Sequence, residues 1–192
     1  MKCYLIRRGE DDNTVRGGWS KAALNSKGVN QSIVLAQRLV QNSNIAKIYS
    51  SDLLRARQTA EIIADEIGVQ PEFHKDLREV NNGDLAGMPN SQADEKYPGL
   101  YWRTLDWNAH YPNGESPSEF YERIKNYWSK FSLSCYDFSE DIAIVTHGGV
   151  INIILPIVDG TKYSNKNQCY KISNARAVIL EFDDGIWKRT VE

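Results

Sequence analysis

Three guanidiniums and one imidazole stand just past the ends of three short apolar runs. Residues 3–6 run into Arg7-Arg8-Gly9-Glu10. Residues 47–51 run into Asp52-Leu53-Leu54-Arg55, and residues 142–146 run into His147-Gly148-Gly149. Two arginines can grip the oxygens of a phosphate in bidentate fashion. A neutral histidine beside them can accept or donate a proton, or act as the nucleophile in phosphoryl transfer. Singly these signals are weak, because an arginine early in a helix is ordinarily a surface ion pair. Jointly they point to one anion site, shared by Arg7, Arg55 and His147.

Such a site needs a parallel α/β sheet, in which ligands sit outside the carboxyl ends of the strands. Helix N-termini there add free N–H groups and a partial positive charge. The chain supplies the elements. Residues 2–7 read as β, and residues 8–28, with Gly9, Gly17, Gly18 and Gly28, as a long loop of the kind that is usually functional. Val29, Ile33, Ala36 and Val40 mark a helix over residues 29–41, followed by a short strand at 46–49. Ser51 or Asp52 is placed to cap a helix that runs to Ile67 and stops at Gly68. This alternation implies βαβ units.

Residues 76–115 are irregular and rich in aromatics, which reads as a lid or subdomain inserted into a single domain spanning residues 1–192. Ser116 or Ser118 begins a further helix, with Phe120, Ile124, Tyr127 (or Trp128) and Phe131 as its buried stripe. Residues 141–146 form the third strand. Residues 148–158 form a helix that Pro156 should end or kink. Residues 175–182 and 186–191 read as a closing antiparallel pair around Asp183-Asp184-Gly185.

Composition sets limits. A length of 192 residues suits one domain with one sizeable core. The net charge of −2 gives no global field for nucleic acid or anionic lipid, so neither is expected as a partner. The three cysteines, Cys3, Cys135 and Cys169, are odd in number and lack C-x-x-C spacing, which argues against a disulfide framework and a structural metal. The N-terminal apolar run is too short for a signal peptide, and no stretch approaches the roughly 20 apolar residues of a membrane span. A cytoplasmic location is expected.

The residues also match a family. Leu5-Ile6-Arg7-Arg8-Gly9-Glu10 resembles the L-x-R-H-G-E signature of the histidine phosphatase (phosphoglycerate-mutase-like) superfamily. Gly18-Trp19 with Leu24 and Gly28, and the run from Ser50 to Ala60, resemble its G-W-x-x-x-x-L-x-x-x-G and S-S-x-L-x-R-A-x-Q-T-A stretches. Leu77-Arg78-Glu79 with Gly83 and Gly87, Pro112-Asn113-Gly114-Glu115-Ser116, and Val145-Thr146-His147-Gly148-Gly149 follow in the family's order. The resemblance implies a three-layer α/β/α fold with a mainly parallel central sheet. It implies removal of phosphate from a small phosphomonoester through a phosphohistidine, without metal or cofactor; mutase-type phosphoryl transfer is the alternative. Arg7, Arg55 and His147 resemble the phosphate clamp and Glu79 the general acid, with Asp84 a weaker second carboxylate. Without the motif, Glu79 reads equally well as an ion-pair partner of Arg78 or a lysine. The acid role requires a raised pKa. Glu10, Glu115, His110 and Gly148 are candidates for the substrate pocket, although Glu115 also suits a helix cap.

One position departs sharply. Arg8 stands where the family carries its nucleophilic histidine. A guanidinium has no available lone pair and keeps its proton, so the chain should not form the covalent intermediate. Asp11, Thr14 and Lys21 depart as well, and they put the substrate contacts in question. Three readings follow: a natural pseudophosphatase that binds a phosphorylated ligand or protein, a phosphatase disarmed at its nucleophile, or a hydrolase that activates water directly. Phosphate or sulfate should bind between Arg7, Arg55 and His147. Glu10, Asp11 or Asp12 is positioned to pair with Arg8, and an acidic side chain plugging the pocket would count against anion binding.

Overall fold

Strands buried on both faces need apolar residues at every position. The central pair, β1 (Lys2–Arg7) and β4 (Asp141–Thr146), meets that need. In the computed structural model, which describes residues 1–167 and 169–190, the other elements in chain order are α1 (Ser26–Asn42), β2 (Ile45–Ser51), α2 (Leu54–Ile67), β3 (Pro71–His74), α3 (Asn90–Lys96), α4 (Pro117–Ser134), α5 (Gly148–Val158), β5 (Arg176–Asp183) and β6 (Ile186–Arg189). The sheet order is β3-β2-β4-β1-β5-β6. The first four in that order are parallel, while β5 and β6 run antiparallel at the other edge. Side chains alternate across the sheet. Cys3, Leu5, Ile142 and Ile144 pack with Phe120 and Ile124 of α4 and Ile151 of α5. Tyr4, Ile6, Ala143 and Val145 pack with Leu35 and Leu39 of α1 and Ile63 of α2. The result is the expected three-layer α/β/α fold with a mainly parallel sheet.

Several local expectations need correction. Helix α1 starts at Ser26 because the Asn25 side chain accepts the Gly28 N–H at 2.8 Å. Its buried face is Gly28, Ser32, Leu35, Ala36 and Leu39, whereas Ile33 and Val40 are 36% and 48% exposed. Glycine and serine belong to that face because the chain passes close: a Cβ on Gly28 would lie 2.0 Å from the Glu10 carbonyl oxygen. Neither Ser51 nor Asp52 is the N-cap of α2; that position is Leu53, with no side-chain cap bond. Asp52 is taken by Arg78 through two bonds of 2.6 Å. Strand β3 has no counterpart in the apolar pattern of the sequence, and its first residue is Pro71, where an edge strand tolerates the missing N–H.

The expected helix stop, helix cap and hairpin turn are present. Gly68 ends α2 with φ 81°. Ser116 and Glu119 form a capping box on α4, and Trp128, not Tyr127, is the more deeply buried of the two alternatives. Helix α5 ends two residues beyond Pro156. Asp184 and Gly185, with φ 46° and 81°, join β5 to β6 as a type I′ hairpin requires. Val191 of that expected strand lies outside the described residues. Residues 76–115 hold short helical turns and α3, and Trp102 packs edge-on against Phe120 of α4 with ring centres 5.5 Å apart. Among the described residues, no helix is long and apolar enough to cross a membrane.

Candidate anion site

Because β2, β4 and β1 are neighbours in the sheet, their carboxyl ends lie side by side. Arg7 is the last residue of β1, Arg55 lies in the first turn of α2 after β2, and His147 follows β4. The structure therefore brings together the three residues expected to form the clamp, with Arg8 beside them. Arg7 reaches the Ile172 carbonyl through Nη1 at 2.5 Å. A Cβ on Gly148 would sit 3.5 Å from Arg7 Nε, so the glycine lets this guanidinium lie close against the start of α5.

Arg55 is only 1% exposed. It donates to Gly18 O at 2.6 Å and to Ser20 O at 3.2 Å. Burial, and then the charge of Arg8, push its pKa down to about 10. Burial and Arg8 depress Arg7 in the same order. Arg8 is fixed by its backbone, with its N–H donating to Thr146 O at 2.9 Å. Its Nη1 donates to Gly9 O at 2.8 Å and contacts Asp11 Oδ1 at 2.5 Å. Of the three acidic candidates, Asp11 is the one that pairs with Arg8. Glu10 is drawn to Lys27 at 2.8 Å, and Asp12 to Thr14.

His147 is buried, with Nε2 at 2.8 Å from Ser51 Oγ. Desolvation comes first, then the charges of Arg55, Arg8, Arg123 and Arg7; together they hold its pKa well below the ordinary value. The folded imidazole is neutral near pH 7. When the chain unfolds, this histidine regains a pKa near 6.5 and takes up a proton that the folded state refuses. Stability should therefore fall as pH drops below about 6.5, by up to ~1.4 kcal/mol per pH unit from this residue alone. Urea unfolding between pH 7 and pH 5.5 should show a slope that His147→Asn makes shallower by that amount. An identical slope in the variant would overturn this assignment.

Four buried nitrogens at this edge make no hydrogen bond: Nε of Arg7, Arg8 and Arg55, and Nδ1 of His147. Arg55 Nε lies 3.2 Å from Asp11 Oδ2, an ion pair without hydrogen-bond direction. Buried polar nitrogens without a partner are uncommon, and each calls for a physical reason.

Glu79 lies alongside. Its Oε1 accepts the Val80 N–H and its Oε2 the Gly149 N–H, each at 3.1 Å. A Cβ on Gly149 would fall 2.1 Å from Glu79 Oε1, so glycine is required where the carboxylate crosses the start of α5. Arg78 bonds Asp52, so the Glu79–Arg78 ion pair weighed from sequence is not made. A cavity of about 270 Å³ opens beside Glu79, lined by Trp102, Arg103, Gly149, Tyr163 and Asn165.

The remaining candidates fall elsewhere. Glu115 is held by Arg123 at 2.8 Å and by the Asn81 N–H, and it does not cap α4. His110 pairs with Glu119 at the surface at 3.0 Å. Asp84 accepts from Asn113 at 2.9 Å. Glu115, His110 and Gly148 do not line the cavity, and Glu10 lines a separate hollow with Arg7, Lys27 and Ile172. Tyr163 and Asn165, which do, come from an irregular stretch after α5 that carries no motif. No group of three or more His, Cys, Asp or Glu among the described residues is placed to hold a metal.

The family model for the histidine phosphatase superfamily (branch 1) matches residues 3–191. The chain belongs to that superfamily. An Erwinia tasmaniensis relative named "Probable phosphoglycerate mutase GpmB" is 31% identical over 97% of this chain and 87% of its own length. A Schizosaccharomyces pombe relative named "Probable phosphatase C1687.21" is 32% identical over 80% of this chain and 71% of its own. Both a phosphatase name and a phosphoglycerate mutase name thus occur among relatives at this distance. The solved structure of a mycobacterial glucosyl-3-phosphoglycerate phosphatase superposes with a TM-score of 0.81 at 25% identity, covering 99% of this chain and 97% of the other. The superfamily fold therefore extends across both layers of helices and the antiparallel edge.

Proposed function

We propose that this protein recognises the phosphoryl group of a small phosphorylated metabolite between Arg7, Arg8, Arg55 and His147, on a phosphomonoesterase scaffold whose covalent step Arg8 disables. The observation that carries this reading is that four of the six buried side-chain nitrogens without a hydrogen-bond partner among the described residues belong to those four residues, the other two being on Arg16 and His74. A phosphoryl group has the charge and the oxygens to satisfy them. On this reading Glu79 gives its proton to the leaving oxygen, and the cavity beside it, with Trp102 and Tyr163 in its wall, receives the alcohol portion. In the parent chemistry a histidine at position 8 attacks phosphorus, the P–O bond to the alcohol breaks, and the proton of Glu79 goes to the leaving oxygen. Water then cleaves the phosphohistidine; a second alcohol in place of water gives the mutase outcome. Arg8 has no lone pair to begin either sequence.

Calorimetric titration should show inorganic phosphate binding, and 4-nitrophenyl phosphate competing for the site without releasing nitrophenolate above the buffer rate. Arg7→Ala should abolish both binding events. Absence of binding would overturn the recognition reading, and turnover at a rate ordinary for a phosphatase would overturn the disabled step.

A further inference from the structure

Asp11 occupies the middle of the cationic cluster. Its side chain is 9% exposed, with one oxygen 2.5 Å from Arg8 Nη1 and the other 3.2 Å from Arg55 Nε. This placement is built into the backbone. Residue 11 bridges to Leu24, its carbonyl accepts from Asn25 Nδ2 at 3.1 Å, and Asn25 N–H donates to Glu10 O at 3.0 Å. Asn25 is also the N-cap of α1, so the strap bearing Asp11 is tied to the start of a helix. One carboxylate thus spans two guanidiniums much as two phosphate oxygens would.

The substitution is incomplete. A carboxylate brings two oxygens and one negative charge. Arg7 Nε, Arg8 Nε and His147 Nδ1 remain without a hydrogen-bond partner while it is in place. A phosphomonoester brings three terminal oxygens and a charge of about −1.5 to −2 at neutral pH. A monoanion with two free oxygens offers only what Asp11 already provides, and Asp11, being tethered, acts at high effective concentration. A dianion offers an extra charge and an extra oxygen.

On the reading that this is a phosphoryl site, we propose that Asp11 is an internal competitor that sets the selectivity of the site: a phosphomonoester dianion displaces its carboxylate, and monoanions do not. Displacement requires rotation about the Asp11 side-chain bonds while the anchored backbone stays in place. An acidic plug by itself counts against anion binding; on this proposal it is the element that discriminates among anions.

The probes are methyl phosphate, a dianion at pH 8, and dimethyl phosphate, a monoanion. The chain as it stands should bind the first and not the second. In Asp11→Asn, methyl phosphate should bind about tenfold more tightly or better, and dimethyl phosphate should become a measurable ligand. The variant strands two guanidiniums without their counter-charge, so its unliganded form should melt earlier. Saturating phosphate should then raise its Tm by more than it raises that of the parent. Equal or weaker affinity for methyl phosphate in the variant, or equal Tm shifts, would overturn the role of Asp11 and leave the phosphoryl site standing. Failure of both forms to bind any phosphate would overturn the site itself and this inference with it.

Discussion

Arg8→His should convert the chain into a working phosphatase, raising turnover of an aryl phosphate by roughly 10⁴-fold or more, the scale on which loss of a nucleophile acts in covalent catalysis. The backbone at position 8 is fixed from both sides, by Arg8 N–H donating to Thr146 O at 2.9 Å and by Ala175 N–H donating to Arg8 O at 3.2 Å. An imidazole placed there emerges from the same strand end, beside the same Arg7, Arg55 and His147. The change also removes the charge of Arg8, which helps to depress Arg7, Arg55 and His147. Rapid-quench experiments should trap an acid-labile phosphoryl adduct in the histidine form and none in the arginine form. A revertant that binds phosphate and melts normally yet stays inert would overturn the phosphatase reading. If the arginine form turned over normally and Arg8→Ala did not, Arg8 would be a participant and not an obstruction.

The second large effect falls on Arg55. Arg55→Met should abolish phosphate binding and cost about 3–5 kcal/mol of stability, the usual penalty for removing one partner of a buried ion pair. Arg55 is 1% exposed and joins three segments: it holds Gly18 O and Ser20 O of the long loop, faces Asp11, and belongs to a helix without a side-chain cap. The Asp11→Asn/Arg55→Met double variant should recover part of the loss, because it no longer strands a buried carboxylate. Urea midpoints of the four forms measure that coupling. A single-variant cost below about 1 kcal/mol would show that Arg55 is not a structural tie.

The motif order points to the family, and residue chemistry points to Arg7, Arg55 and His147 as a clamp. Neither showed how those residues are engaged. Glu10, Asp11 and Asp12 were equivalent partners for Arg8 on the line of the chain. The fold chose among them by giving Glu10 to Lys27 and Asp12 to Thr14. Asp52 looked like a helix cap and proved to be the partner of Arg78, a residue 26 positions away. His110 sat in an aromatic segment that suggested a pocket wall, yet its ring lies at the surface beside Glu119.

By itself the sequence determined the buried strands β1 and β4, the position of β2, the charged groups at their ends, the hairpin at Asp184-Gly185 and the anomaly at Arg8. Those features have local causes: continuous apolar runs where both sheet faces are covered, glycine where φ is positive, and a residue type unable to attack phosphorus. Only the tertiary structure decided that Asp11 lies between Arg8 and Arg55, that Ile172 O holds Arg7, and that Tyr163 and Asn165 line the cavity beside Glu79. Those contacts join irregular segments far apart along the chain. Irregular backbone has no period to read, and a long-range contact leaves no trace in the residues next to either partner.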